Sequence, residues 1–289
     1  MILLTYMKIT RGTHAVPVIY TAHHASHNFN EFDARVALLQ DQKIRYSDYG
    51  TDKTVPKNGI VTIVAESSRA LGDLNRAPDH PNNFQEYDYA KPESHKIWNN
   101  GQELTIQEKE YCRQHFHKPF HAEIVHLLSK QSSLTFVIAW DNTAHYRVGK
   151  DADGEPVVMK PFILSNRGEE EVPIGEEEQT SCDPLFMSIL SEEFSMELKK
   201  VGLPSDIHLN LVMQGGYICQ QYSTRRNKEL LESKGVNSEV QSLQLEYDAS
   251  ITHDQITLEP ITKNIANLRM AFSNAIEISY KKYTADTPN

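Results

Sequence analysis

Short apolar runs alternate with longer segments of helical spacing along most of this chain. Val16–Ala22 (VPVIYTA), Ile60–Val64 (IVTIV), Leu134–Trp140 (LTFVIAW), Ile207–Met213 (IHLNLVM) and Ser242–Tyr247 (SLQLEY) read as strands. The near-continuous apolar character of the first three is the pattern of strands buried on both faces. Phe29–Gln40, Ile106–Lys130, the stretch from Pro184 to Val201 and Leu258–Tyr283 carry apolar residues at helical spacing. Pro119 predicts a kink or break at Lys118, because proline removes a backbone donor and crowds the preceding turn. Asp183 is placed to cap the helix that begins at Pro184, and Gly202 and Pro204 to stop it. Strands alternating with helices predict an α/β fold, a three-layer sandwich around a mostly parallel central sheet. The whole chain, 1–289, is expected to form one catalytic domain with a loop insertion around 149–180. That insertion contains GEPVVMKPF, readable as a short hairpin, and the acidic segment GEEEVPIGEEEQ.

Charge and composition narrow the function classes. The net charge of −10 argues against nucleic acid or an anionic membrane as partner. No apolar run approaches the ~20 residues of a membrane span, and the opening MILLTYMKITRG is not expected to be a signal peptide. Cys112, Cys182 and Cys219 are odd in number, widely spaced and without a CxxC pair, which predicts a reduced cytoplasmic protein.

The predicted strands deliver polar residues at their carboxyl ends, where open α/β sheets bind ligands. The first runs into His23, His24 and His27; the second into Glu66, Ser67, Ser68, Arg69, Asp73, Asn75 and Arg76; the third into Asp141, Asn142 and His145. Arginines and carboxylates packed so closely are costly to bury unless paired or holding a ligand. The alternative is an internal Arg–Asp clamp that fixes a loop. Imidazoles from two strand ends with a carboxylate would suit Zn²⁺, whose catalytic sites keep a position for water. Glu246 on the last strand is available to move protons, and Arg69 or Arg76 could hold a substrate carboxylate through a bidentate fork. His117 and His121 stand i, i+4 on one helix face, a spacing frequent in helices without metal. No phosphate loop, nucleophile elbow or HExxH is present.

The segments HHAS (23–26), SDYGTD (47–52), SRALGDLNR (68–76), YCRQHFHKPFH (111–121), WDNTAH (140–145), SCDP (181–184), Asn210 to Ile218 with its QGGYI, and LQLEY (243–247) occur in an order that resembles the N-formylglutamate amidohydrolase family. The resemblance spans about residues 15–283. It implies a fold related to zinc carboxypeptidases, a metal-activated water and hydrolysis of an N-acyl bond on an acidic amino acid. By position it implies His24, Asp52 and His145 as ligands of one Zn²⁺ per chain, with Asp48 as the alternative carboxylate. Glu246 matches the glutamate of the last strand, and Asn210, Gly215 and Gly216 the family's Asn…Gly-Gly loop. Arg69 and Arg76 are expected to hold the substrate, with Asp73, Asn75 and Asp141 in support. The chain departs from the family at His23, where the family has proline, and at Asp141-Asn142-Thr143, where it has Asp-x-His. It also has Val212 and Met213 where an arginine-like residue precedes the Gly-Gly pair. The expected function is therefore a zinc-type amidohydrolase acting on a small acidic N-acyl amino acid. The alternatives are a divergent relative that binds an acidic metabolite or peptide without turnover, or a hydrolase of another acidic amide.

Overall fold

The computed structural model describes residues 6–88, 95–143, 148–150, 156–166, 180–211 and 213–287. A mixed seven-stranded sheet runs through the middle, built from β1 (Met7–Arg11), β2 (Val18–Ala22), β3 (Val61–Ala65), β4 (Thr135–Thr143), β7 (Phe162–Ser165), β8 (Ile207–Leu209) and β9 (Val240–Asp248). Its order is β1-β3-β2-β4-β9-β7-β8. The four central strands, β3, β2, β4 and β9, are parallel; β1 joins β3 and β7 joins β9 antiparallel. A separate small ribbon pairs β5 (Val148–Lys150) with β6 (Pro156–Val158), so the expected hairpin segment supplies one of its arms.

Alternation along the central strands sends successive side chains to opposite faces. Phe136, Ile138 and Trp140 of β4, with Leu243, Leu245 and Tyr247 of β9, pack against α5 (Pro184–Lys200) and α8 (Thr262–Asp286). Val137 and Ala139 of β4 face α4 (Lys118–Leu128), α6 (Tyr217–Gln221) and α7 (Thr224–Ser233) through Phe120, Ile124, Ile218 and Leu231. The result is the expected three-layer α/β/α sandwich. By the same alternation Asp141, Gln244 and Glu246 fall on the α4/α6 side, and register pairs Asp141 with Glu246. Among the described residues no helix is long and apolar enough to cross a membrane.

Two local expectations change, at Phe29 and at Ile207, while the break predicted at Lys118 is present. The segment from Phe29 to Gln40 is a helix only as a 3₁₀ stretch, Asn30–Arg35, and the α-helix α1 runs Gln40–Tyr46. Asn28 Oδ1 accepts the Asn30 amide at 2.8 Å and Asn30 adopts φ 52°, a local turn that competes with helix initiation. The long helix divides into α3 (Ile106–Cys112), a π turn at Arg113–His117, and α4. Pro119 lies in the first turn of α4, and the widened turn absorbs the bond it cannot make. The strand at Ile207 ends at Leu209, because Asn210 turns to φ 53°.

A third apolar cluster under the loops, including Phe29, Trp98, Leu104 and Phe116, is tied at its rim by Arg35. Arg35 donates to the Gln102 and Glu103 carbonyls and pairs with Glu108 at 2.5 Å. Glu108 also completes the Thr105 capping box of α3. These bonds, Arg35 first, hold the Glu108 carboxyl at about 2 against the usual 4.5. A depressed folded-state value stabilises above the unfolded pKa and loses that contribution as pH falls. Glu108→Gln is therefore expected to lower the thermal midpoint by an amount equivalent to about 1 kcal/mol at neutral pH. The gap to wild type should close between pH 4.5 and about 2; a gap constant with pH would refute the pairing.

Candidate metal centre and active site

Asp48 is carried to the centre of the sheet by backbone pairing: its N–H donates to the His24 carbonyl at 3.0 Å. Asn142 Nδ2 holds the Tyr49 carbonyl at 3.0 Å, and the Thr51 hydroxyl donates to the Asp48 carbonyl. Gly50 adopts φ 82° directly against the His253 ring, and a Cβ there would overlap that ring. This turn starts α2 (Thr51–Thr54) and fixes which aspartate points inward.

His24 sits at the middle of the cluster. Its Nε2 lies 2.7 Å from Asp73 Oδ1, while its Nδ1 faces Asp48 Oδ2 at 3.3 Å and Asp141 Oδ1 at 3.6 Å. His23 Nε2 approaches Asp141 Oδ2 at 2.9 Å, but off the line a hydrogen bond needs, and both His23 ring nitrogens are buried without a hydrogen-bond partner. His23, His24 and Asp141 each present a donor atom within 4.8 Å of the others. Arg69 closes one side, 2.9 Å from Asp73 Oδ2 and 3.7 Å from Asp48 Oδ1. Gln85 Nε2 also donates to Asp73.

The charges do not balance as ordinary ion pairs. Burial and Arg69 favour neutral His24, but Asp73, Asp141 and Asp48 outweigh them and lift its pKa from 6.5 to about 10. Burial, joined by the neighbouring Asp48 carboxylate, pushes Asp141 well above the usual carboxylate range. Asp48 itself stays low, held there by His24 and Arg69 against burial. Two carboxyl groups in contact must share a proton or a cation. Asp141 Oδ1 has no hydrogen-bond partner and faces Asp48 and His24 Nδ1. Asp73 meanwhile occupies the far nitrogen of His24, the carboxylate–histidine arrangement that orients metal-ligating imidazoles. With Asp48 Oδ2 3.3 Å from His24 Nδ1, these donors could hold a divalent cation at His24, Asp141 and either His23 or Asp48.

The other residues singled out in the sequence are placed as follows. Asp52, in the first turn of α2, is exposed and lies outside this cluster; Asp48 occupies the position next to His24. Asp52 instead lines a cavity of about 600 Å³ together with Lys8, Ser26, His27, Tyr49 and Glu66. His145 lies outside the described residues, as do 151–155 and 167–179 of the predicted insertion. Arg69 forms an Arg–Asp clamp, and half-buried Arg76 lends its carbonyl to His117 Nε2. Asn210 exchanges hydrogen bonds with Asn166, pinning β8 to the end of β7. Gly215 turns the chain at φ 96°. Gly216 lies so close to Asn75 that a Cβ would overlap its side-chain amide.

Gln244 was not expected from the sequence, although it shares the face of Glu246 two residues away on a strand. Its Nε2 donates to Glu246 Oε1 at 2.7 Å and to Asp141 Oδ2 at 2.9 Å. Its Oε1 accepts from Asn75 Nδ2 at 3.1 Å. Gly216→Ala should therefore cost about 1–3 kcal/mol of stability by overpacking, with activity falling as Asn75 is displaced. A thermal midpoint and activity equal to wild type would show that Asn75 does not need this close approach.

A sequence model described as N-formylglutamate amidohydrolase matches residues 16–232. Among curated proteins no sequence matches. An N-formylglutamate amidohydrolase from Ralstonia eutropha JMP134 superposes with a TM-score of 0.64 at 15% identity, covering 98% of this chain and 100% of its own. The Atu2144 gene product from Agrobacterium tumefaciens gives 0.61 at 12% identity, covering 97% of both chains. A metallo-carboxypeptidase from Burkholderia cenocepacia gives 0.29 at 13%, covering 92% of this chain and 57% of its own.

Proposed function

This chain belongs to the N-formylglutamate amidohydrolase family, whose members hydrolyse amide bonds, and we propose that it removes an N-formyl or related N-acyl group from an acidic amino acid, with one Zn²⁺ per chain. The observation that carries the reading is the buried meeting of His24 Nδ1 with Asp48 and Asp141, while Asp73 occupies the opposite nitrogen of His24. His24, Asp48 and Asp141 would hold the ion, with Asp73 and Arg69 behind them. Zinc bound there would supply Lewis acidity and water activated at neutral pH. Glu246 is the general base: it accepts a proton from the attacking water and returns it to the departing amine nitrogen. That exchange leaves a carboxylic acid and a free amino acid, and Glu246 ends as it began. Arg76 is assigned to the substrate carboxylate, since the Arg69 terminal nitrogens face Asp73 and Asp48. The buried cysteines Cys112, Cys182 and Cys219 are free, which suits a reducing, cytoplasmic setting.

The test is direct. Zinc-loaded protein incubated with N-formyl-L-glutamate and N-formyl-L-aspartate should release formate, with little release from N-formyl derivatives of neutral amino acids. Binding of these acids without release would favour the non-catalytic alternative, and neither binding nor release would sink the reading.

A further inference from the structure

The hydrogen bonds around Asn75 and Gln244 have only one consistent direction. The starting point is the backbone N–H of Ile218, which can only donate, and it donates to Asn75 Oδ1 at 3.1 Å. The Asn75 amide must then turn its NH₂ toward Gln244, whose Oε1 accepts it at 3.1 Å. That in turn commits the Gln244 NH₂, and its two hydrogens go to Asp141 Oδ2 and Glu246 Oε1 at 2.9 and 2.7 Å. Flipping either amide would set oxygen against carboxylate oxygen, or NH₂ against N–H. All four residues are buried, so water does not compete for these bonds.

Asn75 also serves the opposite side of the cluster. Its own N–H donates to Asp73 Oδ1, the oxygen that meets His24 Nε2, and its carbonyl accepts from Tyr217. One residue thus braces the His24 arm through its backbone and the Asp141–Glu246 arm through its side chain.

We propose that Gln244 is a positioning residue of the active site: oriented by Asn75 and the Ile218 N–H, it clamps Glu246 and Asp141 to one another, fixing the base relative to the metal-side carboxylate. The inference rests on the hydrolase reading above. It makes the amide, rather than the volume of residue 244, the functional requirement. It also makes Asn75 act through Gln244, since an oxygen at the Asn75 Nδ2 position would force the Gln244 amide over and present its carbonyl to both carboxylates.

The experiment compares Gln244→Met, Asn75→Asp and the double variant with wild type in N-formyl-L-glutamate hydrolysis, alongside zinc affinity by competition with a chelator. Gln244→Met keeps a similar volume and removes the amide. It should lower kcat by about 10–100-fold with KM little changed, and weaken zinc by a similar factor, the range usual for groups that orient ligands. Asn75→Asp should reproduce the kcat loss, and the double variant should be no worse than Gln244→Met, because both act on one clamp. Wild-type kcat and zinc affinity in Gln244→Met would overturn the proposal, as would losses that multiply in the double variant. Should Gln244→Met fail to fold, Asn75→Asp carries the same kcat and affinity test. An inactive wild type would instead remove the hydrolase reading, while the zinc affinities would still decide whether Gln244 holds Asp141.

Discussion

Glu246→Gln is expected to lower kcat by about 10³-fold, within the range general-base removal usually costs, while leaving KM, zinc content and thermal midpoint close to wild type. The physical case rests on where β9 delivers this side chain. Glu246 is directly in register with Asp141 on the neighbouring parallel strand, and alternation puts both on the face that also carries Gln244. Residue 246 is buried, and Gln244 donates to its Oε1, a bond that glutamine can still accept through its carbonyl oxygen. The substitution therefore preserves shape and the neighbouring hydrogen bond, and removes chiefly the ability to take a proton. A loss confined to kcat marks an interaction that matters only in the transition state. Steady-state kinetics with N-formyl-L-glutamate, paired with a melt and a metal analysis, decide it. A variant within tenfold of wild type would mean that another group accepts the proton; a large drop in midpoint would mean that Glu246 is structural.

Much of this architecture can be read along the chain because the central strands are buried on both faces, and burial writes itself as uninterrupted Val, Ile and Leu. β2, β3 and β4 are legible for that reason; the Asp183 cap of α5 is legible from its place before Pro184, and its side chain accepts from the Leu185 amide at 2.8 Å. Asp48 against Asp52 was not decidable from periodicity, since both lie in one polar turn. The choice is made by Gly50 packing against His253, a residue some two hundred positions later, and by a backbone bond to His24. The helix expected from Phe29 had helical spacing, but Phe29 and Phe32 bury themselves under a loop from a 3₁₀ turn instead. The resemblance assigns Asn210 and Gly216 to a substrate-binding loop; in the fold their immediate neighbours are Asn166 and Asn75. Gln244 escaped notice because a single amide on a strand carries no chemical signature until its neighbours are known. The resemblance points to His24 and Glu246; the three-dimensional arrangement places Asp48, Asp73 and Asp141 around His24.

Removing the metal should separate function from stability in opposite directions at Asp141. Chelated wild type is expected to lose all measurable activity, and its midpoint should fall, because an ion that binds only the folded state stabilises it by mass action. Asp141→Asn should bind zinc at least about 100-fold more weakly than wild type, since it removes a charged group from the proposed, buried metal site. Without metal, however, the order of stability should reverse. In the metal-free protein the Asp141 carboxyl lies against Asp48, and burial with that like charge drives it to keep a proton. An asparagine at the same place can still accept from Gln244 through one oxygen and turn its NH₂ toward Asp48, so the repulsion is relieved without an orphaned group. Metal-free Asp141→Asn should therefore melt at or above metal-free wild type, whereas zinc-loaded wild type melts above both. Four melting curves with parallel metal analysis test the crossing. If metal-free Asp141→Asn melts well below metal-free wild type and still takes up zinc, Asp141 is a structural carboxyl and the ion is held elsewhere. The crossing itself would mean that this protein tolerates an unfavourable pair of buried carboxyls because the pair holds its metal.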